Sequence, residues 1–136
     1  NLKDINFVFK KCTPSKTVYG GKLLSKTEYR AADPEKTRKD IDTYGSNGNV
    51  RIWFFQKYAK DSGGHQDNVV TETHHFLNDA GEFVSKNKSD DYFIAQLDGK
   101  FIEKQISHIR NSIALESRIF AGNSEEVISW IRENLN

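Results

Sequence analysis

The chain contains no methionine, one cysteine and two prolines, and it has no apolar run long enough to span a bilayer. Each absence excludes something. One cysteine, Cys12, forbids an internal disulfide. It points either to a reducing compartment, a cytoplasmic one of bacterial type, or to an interior position where redox state is irrelevant. No charged start leads into an apolar secretory stretch, so the expectation is a soluble protein with no membrane partner. A sequence that opens on Asn1 and lacks methionine is expected to be a fragment of a longer protein. Neither sign of charge dominates: 20 basic side chains face 19 acidic ones, a formal charge of +1. That balance excludes a polycationic, arm-like nucleic-acid binder, yet it permits a protein whose basic residues share one face. Familiar chemical signatures are missing as well. There is no phosphate-binding glycine loop, no nucleophile elbow and no paired-cysteine zinc spacing, and nothing in the sequence activates the lone thiol.

What is present is enough for one domain. A chain of 136 residues buries roughly two thirds of its unfolded surface and needs no staples to hold a core. Ile5, Phe7 and Phe9 alternate with polar residues as a strand does, and residues 17–24 form a second extended stretch broken by Gly20-Gly21, a tight turn or a bulge. Residues 26–37 turn polar, with Pro34 among them, and read as a short helix or a loop. Turn chemistry over 45–49 opens into the most hydrophobic run of the chain, a central strand over 50–59 entered through a hairpin. Val69, Val70, Thr73, Phe76, Leu77 and Ala80 share one helical face, and that helix is expected to stop near Gly81. A strand over 92–97, a helix over 101–113, a strand over 116–121 and a last helix capped at Asn123 and Ser124 follow. Such alternation implies an α/β (α+β) fold, a mixed sheet with parallel neighbours flanked by helices and joined to antiparallel N-terminal strands.

The histidines are weak candidates for a metal cluster. His74 and His75, with Glu72 and His65 near them, are adjacent in a helical stretch and point about 100° apart, so the histidines read as surface residues, whereas Glu72 sits at the border of the apolar helix face. Trp53 and Phe54 read as core, not as base-stacking platforms. More informative is the run from Arg38-Lys39-Asp40-Ile41-Asp42 through the turn to Trp53-Phe54-Phe55-Gln56-Lys57, then Gly63-Gly64-His65-Gln66-Asp67. An acidic residue leads a hairpin, the returning hydrophobic strand ends in a lysine, and a glycine-rich turn throws the chain into a helix that starts with glutamine.

This stretch and the elements after it resemble the cleavage core of restriction-type endonucleases, the PD-(D/E)XK nuclease family, over about residues 38–136, with 1–37 as N-terminal strands of the same domain. The resemblance implies double-stranded DNA as substrate, Mg²⁺ or Mn²⁺ as cofactor and action as a homodimer or beside further domains of a larger chain. In that family an aspartate at a strand start, with an acidic residue and a lysine on the next strand, holds a divalent metal beside the scissile phosphate. The present sequence departs from the pattern in two places. Lys39 stands before Asp40 where proline is usual, and Phe55 stands two residues before Lys57 where an acid is usual. The family also supplies its missing carboxylate from the following helix, and Glu72 is the candidate. The resemblance then implies Asp40, or Asp42 on the same side of an extended strand, with Glu72 as metal ligands, Lys57 as the group that orients water and stabilises charge, and Gln66 as a contact to the DNA backbone or a support of the site. Lys39, Lys60, Lys100 and Lys104 are candidate DNA contacts, although a charged helix face such as the one carrying Lys100, Lys104, His108 and Arg110 is ordinarily just solvated. Two rival readings stand beside this one: a non-catalytic DNA-binding domain on a degenerate nuclease scaffold, and a protein-interaction or regulatory domain.

Overall fold

The computed structural model of the chain describes residues 5–61, 64–113 and 116–135, and for 64–67 the backbone only. Five strands form one sheet in the order β1 (Val8–Lys11), β4 (Thr43–Asn47), β5 (Val50–Tyr58), β6 (Asp91–Asp98) and β7 (Ile119–Gly122), while β2 (Lys16–Tyr19) and β3 (Lys22–Ser25) pair separately. Helices α1 (Lys26–Ala32), α2 (Gly64–Lys86), α3 (Lys100–Glu103), α4 (Ile106–Ser112) and α5 (Ser124–Asn134) complete the described residues. The sheet is mixed: β4 pairs antiparallel with both β1 and β5, whereas β5, β6 and β7 are parallel.

The sequence of β5 explains its central place. Ile52 and Phe54 point to one side, Trp53 and Phe55 to the other, and all four are buried, which only an interior strand covered on both faces allows. Phe93, Ile94, Ala95 and Leu97 of β6 do the same. On one face Trp53, Phe55, Phe93 and Leu97 pack with Phe76, Leu77, Ala80 and Phe83 of α2 and with Ile102, Ile106 and Ile109 from α3 and α4. On the other, Ile52, Phe54 and Ile94 pack with Val127 and Ile131 of α5 and with Ile5 and Phe7. The alternation expected from residue 50 onward is therefore present.

Several boundaries differ from the sequence reading for identifiable reasons. Helix α2 does not stop at Gly81. It runs on to Lys86, because Phe83 and Val84 continue its buried face and pay back the cost of a glycine. The expected helix over 101–113 is two short ones, α3 and α4, separated at Lys104 and Gln105. The turn expected over 45–49 shrinks to Gly48-Asn49, since Gly45 pairs with Ile52 inside β4. That close pairing leaves room for the Phe9 ring above Gly45, where a Cβ would lie 2.7 Å from a ring carbon. The last strand, β7, begins at Ile119, later than the expected 116. At the N-terminal ends, α1 and α5 carry capping boxes, Ser25 with Glu28 and Asn123 with Glu126.

Gly20-Gly21 is a tight turn: Tyr19 pairs with Lys22, and both glycines take positive φ, 61° and 75°, as a two-residue type I′ loop requires. Gly99 is constrained more severely. Its φ of 103° and ψ of 144° are accessible only to glycine, and a Cβ there would sit 2.6 Å from the Ala59 carbonyl oxygen. That carbonyl accepts hydrogen bonds from the N–H groups of Phe101 and Ile102. The exit of β5 and the start of α3 are thus fastened together, which brings Lys60 and Lys100 to one end of the sheet. Cys12 is buried, and burial pushes its thiol pKa up, so the thiolate needed for reaction is disfavoured. No helix among the described residues is long and apolar enough to cross a membrane.

Candidate functional site

Lys57 follows Trp53 and Phe55 on the face of β5 turned toward α2. Phe55 stands where the family resemblance would ask for an acid, and it is fully committed to the core: it is 1% exposed, and its ring stacks on Phe76 with centroids 5.1 Å apart. Above the same ring lies the Lys57 ammonium, 5.1 Å from the centroid, a cation–π contact. Because Phe55 holds Phe76, the residue one helical turn earlier on α2 comes over the end of β5. That residue is Glu72. Its Oε1 lies 3.8 Å from Lys57 Nζ and its Oε2 3.6 Å from Lys39 Nζ.

The sequence left Asp40 and Asp42 as alternatives, and their surroundings separate them. Asp42 belongs to the Lys57 end of β5: its Oδ2 accepts the Gln56 N–H at 2.7 Å, and its own N–H donates to the Phe54 carbonyl. Burial raises its pKa, while the Gln56 N–H and the Lys57 charge pull it back and Asp40 pushes it up again. Asp40 is tied to β2 instead, accepting a hydrogen bond from Thr17 Oγ1 at 3.2 Å. Glu72 thus meets both Lys57 and Lys39, while Asp42 lies within the electrostatic influence of Lys57 and Asp40 is tied to the β2 side.

The segment that delivers them is fixed from two sides. Arg38 Nε donates to Asp79 Oδ2 on α2 at 2.7 Å, and the Ile41 N–H donates to the Lys16 carbonyl. Just upstream, the Asp33 carboxylate accepts from Tyr29 Oη at 2.6 Å, from Thr37 Oγ1 at 2.6 Å and from the Thr37 N–H at 2.8 Å. The Arg38 N–H in turn donates to Tyr29 Oη. The Thr37 and Tyr29 hydroxyls hold the Asp33 pKa at about 2, down from 3.8. A depressed carboxylate pKa contributes stability above its unfolded value and loses it as pH falls through the folded one. In denaturation curves, Asp33→Asn is expected to be less stable than wild type at neutral pH. The gap should close between pH 3.8 and about 2, and a gap that stays constant over that window would remove Asp33 from this role.

Other candidates fall elsewhere. Lys60 and Lys100 are exposed at the Lys57 end of the sheet, and Lys104 is exposed at the end of α3. The side chains of His65 and Gln66 lie outside the described residues. The His74 ring meets His108 edge-on at 6.2 Å, and burial, then His108 and His75, lower its pKa. Arg110 is engaged, donating to the Ala121 carbonyl and pairing with Glu126. Gln56 faces the opposite side of the sheet, in a hydrogen-bonded row with Thr43, Gln96, Ser124 and Asp98 that ties the strand ends to α5.

Among the described residues no three His, Cys, Asp or Glu side chains gather to hold a metal ion, so Asp40, Asp42 and Glu72 do not form a ready cage. The donor set still suits one class of ion. Magnesium is ordinarily held by one or two carboxylates plus water and substrate phosphate, not by an all-protein cage, and Glu72 beside Lys57, with Asp42 under the influence of the same ammonium, offers oxygen donors of that hard type. Sequence reasoning did not find the ring beneath Lys57, the pairing of Lys39 with Glu72, or the Asp33 and Arg38 anchors. The Asp33 to Thr37 spacing is the one local signal for these. Comparison with known protein families, with curated proteins and with solved structures gives no match to this chain.

Proposed function

We propose that the chain is a restriction-type endonuclease module that hydrolyses phosphodiester bonds of double-stranded DNA with a divalent cation. The observation that carries this reading is the Lys57 amine beside Glu72 on α2, 3.8 Å away, with Asp42 fixed at the start of the neighbouring strand and within reach of the same charge. A helix-borne carboxylate thereby takes the place that Phe55 vacates. In support, these residues sit in a mixed sheet in which an antiparallel strand pair precedes α2 and a parallel neighbour follows it.

Asp42 and Glu72 would hold Mg²⁺ or Mn²⁺, which when bound supplies charge for the phosphate and acidifies a water. The protein's own groups have separate parts. Lys57, held over the Phe55 ring, orients the attacking water and offsets the charge that grows on the phosphate. Gln56 contributes its N–H, which fixes the Asp42 carboxylate, while Asp40 adds negative charge from the β2 side. Lys60 and Lys100, at the same end of the sheet, would meet the DNA backbone on either side. Plasmid relaxation tests this reading. Supercoiled DNA should be nicked or linearised in Mg²⁺ or Mn²⁺ and stay intact in chelator. Salt-sensitive binding without any cleavage would replace the proposal with a non-catalytic DNA-binding domain, and no binding at low salt would remove DNA as partner.

A further inference from the structure

Glu72 carries two ammonium groups where one would neutralise it, and the two are held differently. Lys57 is 26% exposed and lies on the Phe55 ring, whereas Lys39 is 60% exposed and meets Glu72 only at its tip, 3.6 Å away. An ion pair so exposed is weak and readily exchanged. The residues on either side of Lys39, by contrast, are held through their side chains: Arg38 is clamped to Asp79 at 2.7 Å, and Asp40 accepts a hydrogen bond from Thr17. The exposed Lys39 side chain has room to leave Glu72 while its neighbours stay in place.

Charge counting shows what an arriving cation would do. Asp40, Asp42 and Glu72 exceed Lys39 and Lys57 by one negative charge, so a divalent ion placed on the carboxylates turns the cluster positive, and repulsion falls on the least restrained ammonium. We propose that Lys39 is a displaceable counter-ion of Glu72: it holds the carboxylate in the cation-free protein and moves to a substrate phosphate once a divalent cation takes that carboxylate. The destination rests on the nuclease reading, while the exchange on Glu72 does not. Lys39 is then a positioning residue that couples two binding events, so that cation and DNA each strengthen the other.

The test uses the whole chain. Titration calorimetry with Mn²⁺ alone compares wild type, Lys39→Gln and Lys39→Arg, and anisotropy with a labelled duplex compares DNA affinity in Ca²⁺ and in chelator. Lys39→Gln should bind Mn²⁺ about threefold more tightly, the scale of one exposed ion pair, and should lose most of the cation-linked gain in DNA affinity. Lys39→Arg should keep wild-type behaviour in both. A purely structural role would shift thermal denaturation and leave the cation linkage intact. Unchanged or weaker Mn²⁺ binding by Lys39→Gln overturns the proposal. If wild type cuts DNA while Lys39→Gln leaves Mn²⁺ affinity unchanged, only this inference fails. If Lys39→Gln tightens Mn²⁺ as expected and wild type does not cut, only the nuclease reading fails. Wild type with no affinity for Mn²⁺ ends both.

Discussion

Under the proposed nuclease function, replacing Lys57 with methionine is expected to lower metal-dependent plasmid cleavage about 10²–10³-fold, the usual cost of one preorganised group that meets developing charge. The size follows from placement. The ammonium is only 26% exposed, rests on an aromatic face 5.1 Å below and has Glu72 3.8 Å beside it, so its charge acts where water screens it poorly. Methionine keeps the apolar stem over Phe55 and removes the charge, which separates chemistry from packing. Circular dichroism and the melting temperature should therefore stay near wild type while the rate collapses. Glu72→Gln should show the same pattern. Equal cleavage by wild type and both variants would take these residues out of the reaction and leave the cluster as an ordinary ion-pair network.

The second large effect concerns the fold. Phe93→Ala is expected to destabilise the protein by about 3–5 kcal/mol, the range for a buried aromatic truncated to alanine, against a total stability of about 5–15 kcal/mol for a domain. Phe93 is completely buried in the middle of β6, and its ring meets Phe76 at 6.2 Å and Phe83 at 5.1 Å. Those two rings are among the contacts that seat α2 on the sheet, and Phe76 is also the residue stacked on Phe55. Urea denaturation should show a lower midpoint with little change in slope. Because Glu72 lies one turn from Phe76, the surviving folded fraction should also cut more slowly than wild type. A loss below about 1 kcal/mol would mean that the surrounding side chains close the cavity.

How much of this was legible in the sequence depends on whether the signal was local. The central strand, the alternation of strands and helices after it and the capped start of α5 are written in period-two and helical patterns, which are local properties of the chain. Burial of Trp53 and Phe54 was readable for the same reason, since an unbroken apolar strand has to be covered on both faces. Boundaries were less legible. Gly81 carries a helix-weakening preference, and its tolerance within α2 depends on Phe83 and Val84 reaching the core. The apolar pattern after Gly99 continues through Lys104 and Gln105, although the helix does not.

The candidate site divides along the same line. The sequence by itself determined the mixed α/β character, the residue types at the ends of the strands, and the facts that Phe55 offers no ligand and that Glu72 borders an apolar face. Only the tertiary structure decided which groups meet. It turned Lys57 toward α2, set Glu72 over it through the Phe55–Phe76 stack, tied Asp42 to Gln56 and Asp40 to Thr17, and brought Lys39 to the far side of Glu72. The physical reason is that helix and strand periodicity fix the face on which a side chain lies, whereas the partner on that face comes from packing between segments far apart in the chain.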